Sequence, residues 1–412
     1  MKTLLQINVV ANSGSTGKIA EDIGRLVMSK GWRSVIAYGR WANPSQNELI
    51  RIGSDFGNKE HAIESRLFDN HGLASRSTTK NFIRQVDAIN PDVIHLHNIH
   101  GYYINYPQLF QYLTEHNIPV VWTLHDCWPF TGHCVYFDVV NCGRWKTECH
   151  PPCPAKRDYP ASILADGARR NWNLKRQSFT SVRNMTMVPV SEWLSDLLEN
   201  SFLGNYPVEV IHNGINIDVF HPVERSEDLL ERYAIQHKHI ILGVSNMWEE
   251  RKGLKDFIKL RGLLSDDWII VLVGVNEKQR SNLPDGIVGI SRTENQQELV
   301  GLYSSADIFL NLTYEDNYPT TNLEAMACGT PVITYETGGS PEAVTPETGW
   351  VVEQGNITEV ASIINDLSSV SVEKVSLRRK ICRMHAEQFF DKEKCFEQYL
   401  ALYERILDNN NL

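Results

Sequence analysis

The chain has 412 residues, 42% hydrophobic and 22% charged, with a net charge of −10. That length allows two or three domains with cores of their own, and its longest apolar run, residues 268–275, falls far short of the ~20 residues of a membrane-spanning helix. The negative charge sits almost wholly in residues 201–412, while residues 1–200 are slightly basic; this argues against a general nucleic-acid binder and suits a first half that meets something anionic.

In chain order, the start is too briefly apolar for a signal peptide and reads as a strand, so a cytosolic protein is expected. Continuous apolar runs predict strands at 4–10, 34–38, 93–96, 120–124 and 185–190, with helices between them, among them 18–30 and 163–181. A second series follows at 240–244, 268–273, 287–290, 308–310 and 331–334, with helices at 253–264, 296–304 and 322–327. The tail from 372 to 408 is helical. Alternation of this kind predicts an α/β protein of two doubly wound, Rossmann-like units with parallel sheets. We read a first domain over 1–205 with a Cys-rich insert at 127–159, a second over 206–385, and a terminal helix over 386–412 that packs back toward the first. Ligands of open α/β sheets bind at the carboxyl ends of the strands, which predicts a cleft between the domains.

Five segments carry chemistry. Asn12-Ser-Gly-Ser-Thr-Gly-Lys18 follows the first strand and opens a helix, so Gly17 and the helix amides suit an anion or are simply a tight turn. It is not a Walker loop, because its Gly spacing is too short. In Asp92-Val-Ile-His-Leu-His-Asn98, the ordinary reading is a capped strand with satisfied histidines, since His95 and His97 lack a third metal ligand. His125 and Asp126 leave the next strand, where a neutral imidazole oriented by the Asp can bind a hydroxyl. Arg251 and Lys252, before a helix, suit a diphosphate, although Glu249 and Glu250 also fit a solvated charge run. In Thr313-Tyr-Glu-Asp-Asn-Tyr-Pro-Thr-Thr-Asn-Leu-Glu324, the Thr320 and Thr321 amides at a helix start suit phosphate oxygens, and Glu324 suits the two hydroxyls of a ribose.

Five of the eight cysteines fall between Cys127 and Cys153. Cys134, Cys142, Cys149 and Cys153 suit a structural zinc that holds a loop; packed free thiols are an equal reading, and disulfides a lesser one in the cytosol. Lys156, Arg157, Arg169, Arg170, Lys175 and Arg176 form either a solvated helix face or a surface for an anionic lipid-linked acceptor.

Taken in order, these segments resemble glycosyltransferase family 4, retaining enzymes of the GT-B type. The pieces that carry the resemblance are the Gly14/Gly17 loop, Asp92–His97, Thr123-Leu-His125, Val190-Ser-Glu-Trp193, His212–Asp218, Arg251-Lys-Gly253, Leu323–Ile333 and Gly338-Gly-Ser-Pro-Glu342. The nearest subgroup is similar to bacterial transferases of capsular or exopolysaccharide assembly. The resemblance implies a nucleoside diphosphate-sugar donor held by Gly17, Arg251, Lys252, Asn317, Thr320, Thr321 and Glu324. It gives catalytic roles to His125, Arg251, Lys252 and Asp316, and implies a saccharide or polyprenyl-linked acceptor, possible peripheral contact with the inner membrane face, no nucleic acid and no cofactor required for catalysis. Three positions depart from the family pattern: Asp316 stands where a glutamate is usual, Asn317-Tyr-Pro319 replaces Gly-Phe-Gly, and Asn246 replaces an arginine. A sugar-nucleotide epimerase and a non-catalytic sugar-nucleotide sensor are the competing readings on the same fold.

Overall fold

The computed structural model describes residues 1–236 and 238–410, which cluster into two compact units. One comprises Met1–His212 together with the residues from Phe396 on; the other is Asn213–Cys395. In chain order the first contains β1 (Thr3–Asn8), α1 (Gly14–Ser29), β2 (Arg33–Tyr38), β3 (Glu48–Arg51), α2 (Asp55–Phe68), α3 (Arg76–Ile89), β4 (Val93–Leu96), α4 (Tyr106–His116), β5 (Val120–Leu124), α5 (Ala168–Phe179), β6 (Met185–Pro189) and α6 (Glu192–Glu199). The second contains α7 (Glu227–Arg232), β7 (His239–Val244), α8 (Leu254–Arg261), β8 (Trp268–Val273), α9 (Glu277–Arg280), β9 (Ile287–Ile290), α10 (Gln296–Ser305), β10 (Ile308–Asn311), α11 (Thr320–Ala327), β11 (Val332–Tyr335), β12 (Gly349–Val352), α12 (Ile357–Leu367) and α13 (Val372–Phe389). Helix α14 (Lys392–Asn410) begins in the second unit and continues in the first.

Each unit holds a six-stranded parallel sheet, ordered β3-β2-β1-β4-β5-β6 and β12-β11-β10-β7-β8-β9. Read from its own first strand, the second has the same order as the first, the doubly wound order that reverses beside the first strand. Central strands are apolar throughout because helices cover both faces: every residue of β1, β4 and β5 is buried. The edge strands β3 and β12 were not expected from sequence. Each has four residues; β3 exposes Glu48 and Arg51 at its ends, while β12, Gly349-Trp-Val-Val352, is apolar but short.

The first unit runs past 205, because residues 207–211 lie along β6. Met187 N donates to Pro207 O, Glu209 N to Met187 O and Ile211 N to Pro189 O. Residues 386–395 stay with the second unit, where Ile215 N donates to Phe390 O and Lys392 N to Ile215 O. That bridge breaks the expected 372–408 helix into α13 and α14, with Asp391 accepting from Glu393 N at the restart. Among the described residues, no helix is long and apolar enough to cross a membrane.

Candidate active site

In the second unit the strand order reverses between β7 and β10, the switch point at whose carboxyl end open α/β sheets bind ligands. The β7 loop ends in a single helical turn, Glu250–Lys252, and Gly253 carries the chain into α8. The β10 loop holds Asp316 and Asn317. Lys252 Nζ lies 2.5 Å from Asp316 Oδ2, joining the two loops by an ion pair. Both side chains are about a fifth exposed, so a diphosphate can reach the ammonium and replace the carboxylate as its partner.

Arg251 braces the same junction. Its Nη1 donates to Glu315 O at 3.1 Å, and its carbonyl accepts from Tyr314 N at 2.7 Å. Its Nε bonds Glu249, so the acidic neighbours neutralise part of this charge run, and Arg251 works chiefly as a strut between loops. Buried Asp256 on α8 accepts from Tyr314 and Tyr335 at 2.6 and 3.0 Å, fixing that helix beneath the pair. Asn317, buried, donates its amide to Asp316 Oδ1 and orients the carboxylate.

Thr320 and Thr321 are the first two residues of α11, which starts two positions before the expected 322, and Pro319 is its N-cap. Amides in the first turn have no acceptor within their own helix, so those of Thr320 and Thr321 suit the oxygens of an anion. Glu324, one turn in and half-buried, accepts from Tyr303 OH at 3.0 Å through Oε2. No motif pointed to Tyr303, which lies 21 residues upstream on α10.

In the first unit, Gly17 lies inside the first turn of α1, which starts at Gly14 rather than at 18. A Cβ there would stand 3.0 Å from Val10 Cγ2 and 3.3 Å from Asn12 N, so the glycine lets the β1 loop close onto the helix. His125 follows β5, and its Nε2 is 3.2 Å from His97 Nδ1. Asp126 does not orient it, contrary to expectation: its Oδ2 pairs with His100 Nε2 at 2.8 Å and its Oδ1 accepts from Trp128 N. Gln6 donates to Ala20 O, so its Oε1 accepts from His97 Nε2 and the network is satisfied when His97 Nδ1 accepts from His125 Nε2. That tautomer leaves His125 Nδ1 as an acceptor for a ligand hydroxyl. Burial pushes the His125 imidazole down to about 4, so it is neutral at physiological pH.

His95 is satisfied too. Its Nε2 bonds Thr123 Oγ1 at 2.7 Å and its Nδ1 bonds Tyr403 OH at 2.6 Å, while Thr123 donates to Tyr399 OH. Both histidines are thus structural, and the C-terminal helix supports the strand behind His125.

Cys134, Cys142, Cys149 and Cys153 line one cavity of about 20 Å³. Among the described residues, no group of three or more His, Cys, Asp or Glu side chains is set in a ready metal-ligating arrangement. The basic face loses one member: Lys175 is 1% exposed, its Nζ donating to Trp128 O and Thr131 O and lying 3.6 Å from the Trp128 ring centroid. Arg170 caps the end of α2 through Phe68 O and Asp69 O, and Arg169 pairs with Glu148.

Two parallel sheets of one doubly wound topology, with a cationic loop at the second switch point, make an architecture that suits a ligand at the carboxyl ends of the strands. The family model "Glycosyltransferase Family 4" matches residues 17–219, and "Glycosyl transferases group 1" matches 238–369. The chain belongs to glycosyltransferase family 4 and is a glycosyltransferase of GT-B fold. It is 23% identical over 98% of its length to a protein named as a colanic acid biosynthesis glycosyl transferase, WcaC of Escherichia coli, all of which is covered. It is 27% identical over 53% of its length to the N,N'-diacetylbacillosaminyl-diphospho-undecaprenol alpha-1,3-N-acetylgalactosaminyltransferase of Campylobacter jejuni, 60% of which is covered. Among solved structures, sucrose-phosphate synthase from Thermosynechococcus elongatus superposes with a TM-score of 0.71 at 17% identity, covering 99% of this chain and 100% of that one. HepE of Anabaena in complex with UDP gives 0.67 at 14% identity, with 98% and 100% covered.

Proposed function

We propose that this glycosyltransferase moves a sugar, with retention of anomeric configuration, from a nucleoside diphosphate-sugar to a glycan or lipid-linked saccharide in polysaccharide biosynthesis. The observation that carries the reading is the Lys252–Asp316 ion pair beside the start of α11. Lys252 and the Thr320 and Thr321 amides stabilise charge growing on the leaving diphosphate, Arg251 holds the two loops in register, and Glu324 accepts from the ribose hydroxyls. His125 Nδ1 accepts from a sugar hydroxyl. The bond from the anomeric carbon to the diphosphate oxygen breaks as the acceptor oxygen bonds that carbon on the same face, and the acceptor's proton passes to the departing phosphate. Asp316, committed to Lys252, is a weak nucleophile, which favours this route over a covalent sugar–enzyme intermediate. The solved UDP complex of HepE supports a nucleoside diphosphate donor, and the names of the Escherichia and Campylobacter relatives support an extracellular glycan or undecaprenol-linked acceptor.

A thermal-shift screen of UDP, GDP, ADP and dTDP sugars, followed by sugar release without acceptor, tests the proposal. One nucleotide class raising Tm, with slow release of a sugar of unchanged anomeric configuration, supports it; inverted product or an epimer overturns it. Glu324→Ala is expected to weaken nucleotide binding about 10–100-fold, the worth of a charged hydrogen bond. Tyr303→Phe should change it little, and unchanged affinity in Glu324→Ala would remove that residue from the ribose role.

A lipid-linked acceptor calls for contact with a membrane surface. Ile163 and Leu164 are 66% and 67% exposed and lie against the end of α2, where Ile163 N donates to Arg66 O, beside exposed Ile63 and Phe68. Arg66 and Lys156 border them, Lys156 Nζ donating to Leu164 O. Burying two such side chains in lipid is expected to strengthen vesicle binding by at least about tenfold. Co-sedimentation with anionic vesicles should therefore fall by that factor in Ile163→Asp/Leu164→Asp, and equal sedimentation would rule this surface out.

A further inference from the structure

The segment between β5 and α5, residues 125–167, contains only two single helical turns, Trp128–Phe130 and Arg144–Lys146, and no strand among its described residues. An aromatic group made by Phe130, Phe137 and Trp145 packs one side of it, with centroids 5.0–5.2 Å apart. Phe137 and Trp145 also line one small cavity shared by cysteines separated by up to 19 positions, with His133 and His150 in its wall. We propose that Cys134, Cys142, Cys149 and Cys153 bind a structural zinc ion that closes this loop onto the first unit.

Two observations carry the inference. The cavity, about 20 Å³, has room for a single small atom and is walled by all four thiols. Backbone amides are aimed at the sulfurs: Gly132 N donates to Cys149 Sγ at 3.2 Å, and the Ala155 amide serves Cys153 in the same way. Such donors stabilise thiolates that ligate a metal. Asp166 in turn holds the Cys153 amide at 2.7 Å, so the loop around the last cysteine is fixed from outside.

Buried Lys175 donates to Thr131 O in the wall of the same cavity. Four thiolates around Zn²⁺ carry a net charge of −2, which a nearby ammonium offsets by half. A tetrahedral all-sulfur shell selects zinc over harder cations. Closing that shell requires the thiols to draw together around the ion from the looser set described here.

Elemental analysis of the full chain, purified under reducing conditions, is expected to give about one zinc per chain. Cys149→Ser/Cys153→Ser should lower that roughly tenfold, and Cys395→Ser, in the other unit, should leave it unchanged. Should the double variant fail to fold, cobalt exchanged into the wild-type protein supplies a second readout: thiolate-to-cobalt charge-transfer absorption in the near ultraviolet. Chelation should also expose residues 127–167 to limited proteolysis. Less than about a tenth of a zinc per chain, cobalt bound without charge transfer, native disulfides among the four cysteines by mass spectrometry, or zinc content equal in the double variant would each overturn the site. None of these outcomes depends on glycosyl transfer, so a failure here is separable from a failure of the proposed activity.

Discussion

Lys252→Ala is expected to slow sugar release from the preferred donor by about 10²–10³-fold, the loss seen when one preorganised electrostatic group is removed from a developing negative charge. The reasoning is differential. In the ground state the ammonium already has a partner in Asp316, at 2.5 Å, so the donor gains little by displacing it. As the glycosidic bond breaks, charge accumulates on the diphosphate and the ammonium is drawn to it. The effect should appear mainly in kcat, with nucleoside diphosphate affinity reduced less. Asp316→Asn keeps the geometry and frees the ammonium, and should tighten diphosphate binding while slowing turnover. Single-turnover rates with the donor found by thermal shift check both variants; a Lys252→Ala rate within about threefold of the parent would remove this residue from the chemistry.

Gly253→Ala is expected to destabilise the second unit by about 3 kcal/mol, the combined scale of left-handed backbone strain and overpacking. Gly253 has φ +74°, and a Cβ built on it would stand 2.0 Å from Leu312 O, a backbone atom with no side chain to swing aside. Leu312 opens the loop that carries Asp316, and Gly253 directly follows Lys252. Relief of the clash must therefore part the two loops that the ion pair joins, so donor binding falls together with stability. Gly143→Ala, with nothing within 4 Å of its added Cβ, is the matched control and should be neutral. Urea unfolding and nucleotide affinity are the measurements; a parent-like midpoint for Gly253→Ala would show that the loops tolerate separation.

The two-sheet architecture was legible in the sequence because strands buried on both faces leave uninterrupted apolar runs, as at 93–96 and 120–124, which match β4 and β5 residue for residue. The short edge strand Glu48–Arg51 leaves no such mark and reads as polar-ended loop. The residues proposed to hold the diphosphate stood out for a related reason: glycines, cations and helix starts punctuate a sequence locally. Pairing did not. Lys252 and Asp316 are 64 positions apart, and only the reversal of strand order brings their loops together. Asp126 was assigned to the histidine beside it, yet successive residues leaving a strand point to opposite sides, so it serves His100 instead. Lys175 read as part of a basic helix face, but its position on α5 turns it inward, where it bonds two carbonyls of the Cys-rich segment. Composition reveals that a residue is charged and says nothing of what surrounds it.

The support that Tyr399 and Tyr403 give to β4 and β5 has a temporal consequence. A ribosome delivers residues 1–212, then the whole of Asn213–Cys395, and only afterwards the helix that supplies those two phenols. Until then His95 and Thr123 lack their partners, and the strand end bearing His125 lacks its backing. The second unit, being one contiguous stretch, can complete its sheet during synthesis. The nascent chain thus completes the sheet of its second unit before the strand ends of its first unit are fully backed.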